Sequence, residues 1–425
     1  MLRYFDSERI FEMRPATIAD LMSALGCAKW PERWAEIYDR VMDQYDKYGC
    51  EFTDPVFYDK LGDRYNVLRE YRDYYKEAAV KIGEDENLSR LLALLCHVAH
   101  DRAHAVEEFS QFTPPVAPEG KRDIKYDMLT ALVMCATYDY TYGVLTAHHV
   151  PQKHIDYIMN IYGAMISTFK ARNGGAPGAM SWTWYQRTAV EAILYRTGRL
   201  EIEINLKFTD KAVVFNNKAN KSEMVTLANT GRFHRDGHLL GSKNYTDEEG
   251  AFDASIEETD EAWIGYPYDE RGYVKTEKVA LKKTEWEKYL EPGDPVVGLH
   301  IPPGGGMTEE KVNDAFAEAK EFLANCYPEF KYKAFKCESW LMDPMLAKIL
   351  GDDSNIGKFV NRFTPICLKS GGRGVFNFVF LQPNPAAVVV ENLPEETSLQ
   401  RKIKQLYLDG GCIYEMYGYI PREKI

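Results

Sequence analysis

The spacing of apolar residues divides this chain of 425 residues into two halves. In the first half, apolar positions recur every three or four residues, which is the period of a helix buried along one face. Trp34, Ile37, Tyr38 and Val41 share such a face. We therefore predict an all-helical N-terminal domain over residues 1–197. Its predicted helices include residues 34–42, 88–112, 123–148, 151–171 and 182–195.

From Gly198 the period of the pattern changes. Leu200–Phe208 alternates apolar and polar residues, which predicts a strand with two unlike faces. After Val296, apolar runs bounded by Gly and Pro predict the order β-α-β-α-β-β. The fold class that follows is α+β, with the second domain over residues 198–425. The predicted strands are residues 200–208, 212–215, 224–227, 296–301, 332–340, 358–368, 375–381 and 413–420, and helices are predicted from Thr308, after Pro344 and from Ser398.

The segment Val296–Leu323 combines a buried strand, a glycine turn and a helix. Gly304, Gly305 and Gly306 let the backbone take conformations that other residues avoid. Thr308 then provides an N-cap for the helix. Because a helix N-terminus presents unpaired N–H groups and a positive dipole end, this arrangement can bind an anion, typically a phosphate.

The same turn also fits a tight connection without any ligand. Glu309 and Glu310 lie in the first helical turn, where they complement the dipole and would repel a pyrophosphate. The turn contains no Lys or Arg, and the absence of a GxxxxGK[ST] motif argues against a P-loop nucleotidase. The turn alone therefore leaves both interpretations open.

Composition narrows the class of protein. A hydrophobic content of 45% with 27% charged residues is ordinary for a globular protein. The net charge of −12 argues against a nucleic-acid or anionic-membrane surface. Residues 1–15 lack the apolar segment of a signal peptide, and no run of about 18 apolar residues predicts a membrane span. The eight cysteines form no CxxC pair, so we expect reduced thiols in a cytoplasmic protein.

The glycine turn stands inside a longer motif, Pro292–Gly306 (PGDPVVGLHIPPGGG). Glu338–Pro344 (ESWLMDP), Asp353–Phe363 (DSNIGKFVNRF) and a closing Leu406-x-x-Asp-Gly-Gly follow it. With the predicted order of elements, these motifs resemble a bacterial family of acyltransferase-domain proteins, which pair a helical N-terminal region with a GNAT-like C-terminal domain. The resemblance is clear over about residues 180–425 and loose before them.

In the GNAT fold the glycine turn cradles the pyrophosphate of acyl-CoA, so the resemblance implies acyl-CoA as co-substrate. The loop of that fold usually opens with Gln or Arg, whereas Pro302 and Pro303 stand here. The basic residues nearest the turn in topology, which could contact the 3′-phosphate of CoA, are Lys358, Arg362, Lys369 and Arg373. The cofactor-binding residues that the resemblance implies are Ile301, Gly304, Gly305, Gly306, Met307, Thr308 and Arg362.

The resemblance also implies direct attack of a neutral amine on the thioester, which requires positioning and proton transfer but no covalent intermediate. His300 could take the amine proton, or it could be a histidine bonded locally within the sheet. Glu338 could serve as a base if it is buried. Ser339 could bond the thioester or donate to the leaving thiolate, and it could equally cap a turn. Cys337 could be a nucleophile only if His300 served as its base.

Two further groups of residues admit a functional interpretation. His97, His100 and His104 suggest a metal site, but no HExxH motif or cysteine partner accompanies them, so we predict no metal. The acidic run Asp247–Glu261 could attract a cationic amine, although a solvated loop is the commoner outcome for such a run.

The leading hypothesis is a cytoplasmic acyl-CoA-dependent N-acyltransferase. It would transfer acetyl or another short acyl group to a small-molecule or peptide amine, with a homodimer as one possible assembly and no nucleic-acid or membrane partner. A non-catalytic GNAT-like binding protein is the competing hypothesis, supported by the altered turn and its two glutamates. A cysteine-dependent acyl transferase or hydrolase that uses Cys337 is the third.

Overall fold

The computed structural model describes residues 15–179, 184, 186–302, 304–382 and 384–425. The chain divides into two compact units, Met1–Ile193 and Leu194–Ile425. The pattern of apolar residues places the boundary after residue 197, whereas Leu194–Thr197 is already a strand of the C-terminal sheet. None of the helices in the described ranges combines the length and apolar character that crossing a bilayer requires.

The N-terminal unit is helical in its described residues. The predicted helix over residues 88–112 is wrong in one respect, because the chain leaves helical geometry at Asp101 and starts a new helix at Ala105. The predicted helix over residues 182–195 falls partly outside the described residues, and Gln186–Val190 forms a π-helical turn. The α-helices are α1 Ile18–Ala24, α2 Trp34–Tyr48, α3 Pro55–Tyr65, α4 Arg72–Gly83, α5 Glu86–His100, α6 Ala105–Gln111, α7 Ile124–Asp127, α8 Leu129–Cys135, α9 Tyr138–Ala147, α10 Gln152–Met159 and α11 Ile161–Arg172.

The C-terminal unit is built on a mixed six-stranded sheet with the order β1-β2-β11-β12-β14-β13. Its central pair, β11 and β12, is parallel, and its other neighbours are antiparallel. Three smaller sheets, β10-β3-β4, β5-β6 and β7-β8-β9, form from the other strands. The strands are β1 Leu194–Thr197, β2 Leu200–Lys207, β3 Ala212–Asn217, β4 Met224–Ala228, β5 Thr230–Phe233, β6 Phe252–Ser255, β7 Glu257–Glu258, β8 Ala262–Gly265, β9 Val279–Lys282, β10 Trp286–Leu290, β11 Pro295–His300, β12 Ala334–Ser339, β13 Thr364–Cys367 and β14 Met416–Pro421.

In the described residues, five α-helices accompany the large sheet. The longest of them follows β11 and packs its Phe316 ring edge-on against Phe335 of β12, with the ring centroids 5.3 Å apart. This contact fixes which face of the sheet the helix covers, because Phe335 and the residues two positions further along β12 point to the same side. The helices are α12 Glu309–Cys326, α13 Met345–Leu350, α14 Asn355–Val360, α15 Gly374–Val379 and α16 Ser398–Leu408.

One predicted strand is right only in its second half, and another is wrong. Of residues 358–368, Thr364–Cys367 form β13, whereas residues 358–360 belong to helix α14, whose N-cap Ser354 accepts a hydrogen bond from the N–H of Gly357. Residues 375–381 are mostly helix α15, although their aromatic and β-branched residues favour a strand. Tertiary packing decides here, because Val375, Phe376 and Phe380 are buried in one apolar cluster. The order after β11 is therefore richer in helix than β-α-β-α-β-β.

Candidate active site

The parallel strands β11 and β12 separate at their carboxyl ends. Their pairing ends at Gly298 opposite Lys336. Beyond this point β11 stays paired with β2 as far as His300, and β12 stays paired with β14 as far as Ser339. Within the described residues, the two strands therefore enclose an opening. Backbone N–H and C=O groups on such an opening can pair with an extended ligand.

A β-bulge on β2 lies beside the opening. The register between β11 and β2 shifts between Val296 and Gly298, and Asn205 in the bulge has a φ of +64°. A Cβ built on Gly298 would lie 3.2 Å from the Cβ of Glu203. Glycine at this position therefore lets the bulged strand bring the Glu203 side chain next to His300. Bulges commonly redirect a side chain in this way.

His300 is bonded to a buried carboxylate. Its Nε2 lies 2.7 Å from Oε2 of Glu203, and the exposed fractions of the two side chains are 33% and 1%. Since an ionised carboxylate can only accept a hydrogen bond, the Nε2–H of a neutral His300 ring donates to Glu203. The ring nitrogen that can accept a proton is then Nδ1. A partly exposed imidazole oriented by a buried carboxylate has the arrangement of a general base.

Sequence reasoning identified His300 but missed Glu203. The alternation in β2 predicts one polar face, yet Glu201 and Glu203 on that face are both buried. Burying a carboxylate is costly unless it is bonded, so a strand with two acidic residues between apolar neighbours was the available signal. Glu201 and Glu203 lie on the same face of the sheet as His300, because His300 of β11 is the register partner of Glu201 of β2.

The end of β12 presents different surroundings. Cys337 is buried, and burial raises the pKa of its thiol to about 12. Glu338 is exposed, with Oε2 lying 3.5 Å from Nζ of Lys336. Ser339 is a helix cap, since its Oγ accepts a hydrogen bond from the N–H of Leu341 at 3.1 Å. The burial on which a basic Glu338 would depend is therefore absent.

Cys337 and His300 point to opposite faces of the sheet. Lys336 is the register partner of Gly298, so Lys336 and His300 share a face and Cys337 takes the other. The latter is the face on which α12 packs against Phe335. His300 is therefore not placed to serve as a base for Cys337.

The glycine turn joins this site to the N-terminus of α12. Gly304 has a φ of +136°, and among the described residues no heavy atom beyond its chain neighbours lies within 4 Å of a Cβ built on Gly304 or Gly306. Thr308 caps the helix by accepting from the N–H of Lys311, which confirms the predicted N-cap. Pro303 lies outside the described residues. The turn is therefore open next to the first N–H groups of α12, a helix of 18 residues.

The family described as GNAT-like C-terminal domain matches residues 194–420. The chain belongs to this family. The match confirms the GNAT-like domain predicted from the motifs around the glycine turn. No curated protein matches the sequence.

Solved structures are similar in fold to most of this chain. A variant acyltransferase in complex with octanoyl-CoA is 17% identical with a TM-score of 0.61, and the match covers 96% of this chain and 99% of that one. An acyltransferase in complex with CoA and 10C-teicoplanin, and one in complex with decanoyl-CoA and teicoplanin, are each 18% identical with TM-scores of 0.60 and the same coverage. The predicted α+β class with a helical N-terminal part is confirmed.

Basic side chains of the GNAT-like domain lie at the first turn of α12. Nη1 of Arg362 donates to Oδ1 of Asn313 at 2.7 Å, and its Nη2 lies 3.6 Å from Glu309. Nζ of Lys358 lies 3.5 Å from the same carboxylate. Glu309 is therefore compensated by two cations, which weakens the objection that it would repel a phosphate. By contrast, Arg373 bonds the carbonyl oxygens of a neighbouring loop.

The histidines of the N-terminal unit and the acidic run Asp247–Glu261 make local contacts. Nε2 of His100 lies 2.9 Å from the carbonyl oxygen of Ala136, and His104 pairs with Asp101. These contacts give His100 and His104 separate local partners. In the acidic run, members pair with basic residues of the GNAT-like domain; these pairs are Asp247 with Arg235, Glu248 and Asp253 with Arg232, and Glu258 with Lys283.

Proposed function

We propose that this protein is an acyl-CoA-dependent N-acyltransferase that acylates an amine in the opening between β11 and β12. The observation that carries the proposal is the 2.7 Å contact between His300 and the buried Glu203, at the point where the parallel strands separate. The opening suits an extended thioester, and the histidine beside it suits proton removal from an amine.

The reaction follows from this arrangement. The neutral amine nitrogen attacks the thioester carbonyl carbon, and a backbone N–H on the strand edge stabilises the oxyanion. The C–N bond forms and the C–S bond breaks, while His300 Nδ1 takes the proton that the amine loses. The imidazolium is stabilised by Glu203, and the proton ends on the departing CoA thiolate. The products are an amide and CoA with a free thiol.

The residues around the glycine turn fit a CoA pyrophosphate. Gly304 and Gly306 leave open space where any side chain would intrude. The N–H groups of the turn and of the first turn of α12 can bond phosphate oxygens, and the helix dipole favours their charge. We assign the pyrophosphate to Gly304–Thr308, with Ile301 and Met307 flanking it and Arg362 near the 3′-phosphate.

His300 is the base in this proposal, and the end of β12 takes no part in the chemistry. Glu338 and Ser339 are engaged by Lys336 and by the Leu341 N–H, so neither is assigned a proton-transfer step. The thiol of Cys337 is buried and its pKa is raised, so it gives no support to a cysteine-dependent mechanism. The acceptor is an amine in a small molecule or peptide.

The test is binding and turnover with a series of acyl-CoA thioesters. The series runs from acetyl-CoA to decanoyl-CoA, because the similar acyltransferases are solved with octanoyl and decanoyl thioesters and the sequence favours shorter groups. We expect CoA to raise the melting temperature, since a ligand that binds only the native state stabilises it. Release of CoA thiol should depend on an added amine, measured against amino sugars, amino acids and peptides. Absence of any thermal shift at millimolar CoA would refute the proposal.

A further inference from the structure

Arg199 reaches the glycine turn from the hairpin between β1 and β2. Its Nε donates to the carbonyl oxygen of Gly305 at 2.7 Å, and its Nη1 donates to the carbonyl oxygen of Pro302 at 2.8 Å. One planar guanidinium thus binds two carbonyl groups three residues apart in the same turn. The sequence separation of about a hundred residues explains why the motif analysis missed this contact.

These bonds orient the peptide groups of the turn. In a trans peptide the C=O and the following N–H point in opposite directions. Because the carbonyl of Gly305 points to Arg199, the N–H of Gly306 points away from it. Glycines 304 and 306 have open space at their Cβ positions. The contact therefore turns carbonyl oxygens to one side of the turn and at least one N–H to the other.

Arg199 also changes the charge around the turn. Carbonyl oxygens carry partial negative charge, and two of them facing a pyrophosphate would weaken its binding. Arg199 binds both and adds a full positive charge beside a turn that itself contains no Lys or Arg. The hairpin that carries Arg199 packs closely on α12, because a Cβ built on Gly198 would lie 3.5 Å from Ala315.

We propose that Arg199 is a positioning residue that shapes the glycine turn for phosphate binding. It supplies a cation to the turn from a neighbouring hairpin, where Pro302 and Pro303 stand in place of the Gln or Arg that usually opens the loop. This inference rests on the proposed function, because it concerns the phosphates of the same acyl-CoA. It adds a prediction of its own, that the effect of Arg199 depends on the phosphates of the thioester and not on the acyl group.

The experiment compares two thioesters with the same acyl group, acyl-CoA and acyl-pantetheine, which lacks the phosphates together with the adenosine that they carry. For Arg199→Ala we expect the KM for acyl-CoA to rise about tenfold or more with little change in kcat, because binding common to ground and transition states is lost. The KM for acyl-pantetheine should stay within about twofold of wild type by the same principle. For Arg199→Lys the KM for acyl-CoA should lie between those of wild type and Arg199→Ala, since an ammonium cannot hold both carbonyls in one plane.

Arg196→Ala is the matched control, because Arg196 lies on the same hairpin and its Nε donates to the carbonyl oxygen of Gly198 at 2.7 Å. It should leave the ratio of the two KM values unchanged. Equal losses with both thioesters in a folded Arg199→Lys protein would overturn the inference, as would an unchanged KM for acyl-CoA in Arg199→Ala. Failure of the wild-type protein to bind CoA in calorimetry would instead remove the proposed function and the inference together.

Discussion

The two strands that border the opening end in different ways. β11 ends in a partly exposed imidazole held by a buried carboxylate, and an open glycine turn follows it. β12 ends in a buried thiol, a solvated carboxylate and a hydroxyl that caps a helical turn. Both strand ends carry residue types that enzymes use, but only the β11 end combines access, a bonded partner and room for a ligand.

The contrast teaches that the surroundings of a side chain decide its chemistry more than its position at a strand end. His300 and Glu338 share a face of the sheet, and both stand beside the opening. His300 has a buried partner that fixes its tautomer, whereas Glu338 is itself exposed, so water can take the place of its partner Lys336. We therefore expect mutations at the β11 end to affect catalysis and those at the β12 end to affect mainly stability.

The largest effect should come from His300→Ala. Removing the base should lower kcat for amine acylation by about 10²–10⁴-fold, the range typical of general base catalysis. CoA binding should persist, because the imidazole is separate from the glycine turn that we assign to the phosphates. Rates and calorimetric Kd values for CoA measure the two effects separately. If His300→Ala kept the wild-type kcat, His300 would not be the base, and the β11 end would not differ from the β12 end in catalysis.

Glu203→Gln should have the next largest effect. Gln can still accept the hydrogen bond from His300, but it no longer stabilises an imidazolium by charge, so kcat should fall about tenfold to a hundredfold. The KM for acyl-CoA should change little. Glu201→Gln is the control, since it alters a second buried carboxylate on the same face of β2. Equal losses in the two variants would indicate a general effect of buried charge instead of orientation of His300.

The β11 end also shows how far sequence could go. The segment Val296–Leu323 predicted the strand, the turn and the N-cap, because each depends on local preferences of Gly, Pro and Thr. Glu203 and Arg199 were missed, because their contacts depend on pairing between distant segments. The bulge that brings Glu203 beside His300 has no clear local signature in β2 beyond the polar Asn205.

At the other end of the domain, local preference was misleading. The residues of α15 favour a strand, yet the buried cluster around Phe376 and Phe380 selects a helix. For α14 a strand was again predicted in place of a helix, although Ser354 is a recognisable N-cap that the apolar run after it obscured. The periodicity of apolar residues therefore predicted the two halves of the chain and the order of the long elements, whereas tertiary packing determines whether the short segments are helix or strand.

Cys337→Ala should separate stability from catalysis. Because burial raises the pKa of this thiol to about 12, it is protonated at neutral pH and unavailable as a nucleophile. We expect kcat/KM to remain within about threefold of wild type, since no proposed step involves the thiol. The free energy of unfolding should fall by about 1 kcal/mol from lost packing. Iodoacetamide applied to the native protein should leave Cys337 unlabelled in peptide mass analysis. Loss of turnover with CoA binding intact would instead restore the cysteine-dependent hypothesis.

The smallest catalytic effects should come from Glu338→Gln and Ser339→Ala. The Glu338 carboxylate is exposed and lies 3.5 Å from Lys336, so the pair contributes little and Glu338→Gln should match wild type in both rate and stability. Ser339→Ala should keep its rate but lose about 1 kcal/mol of stability, since the N–H of Leu341 loses its cap. Denaturant unfolding and initial rates measured on both variants make the comparison. A tenfold loss of rate in either, without loss of stability, would show that the β12 end takes part in the chemistry and that the contrast between the two strand ends is wrong.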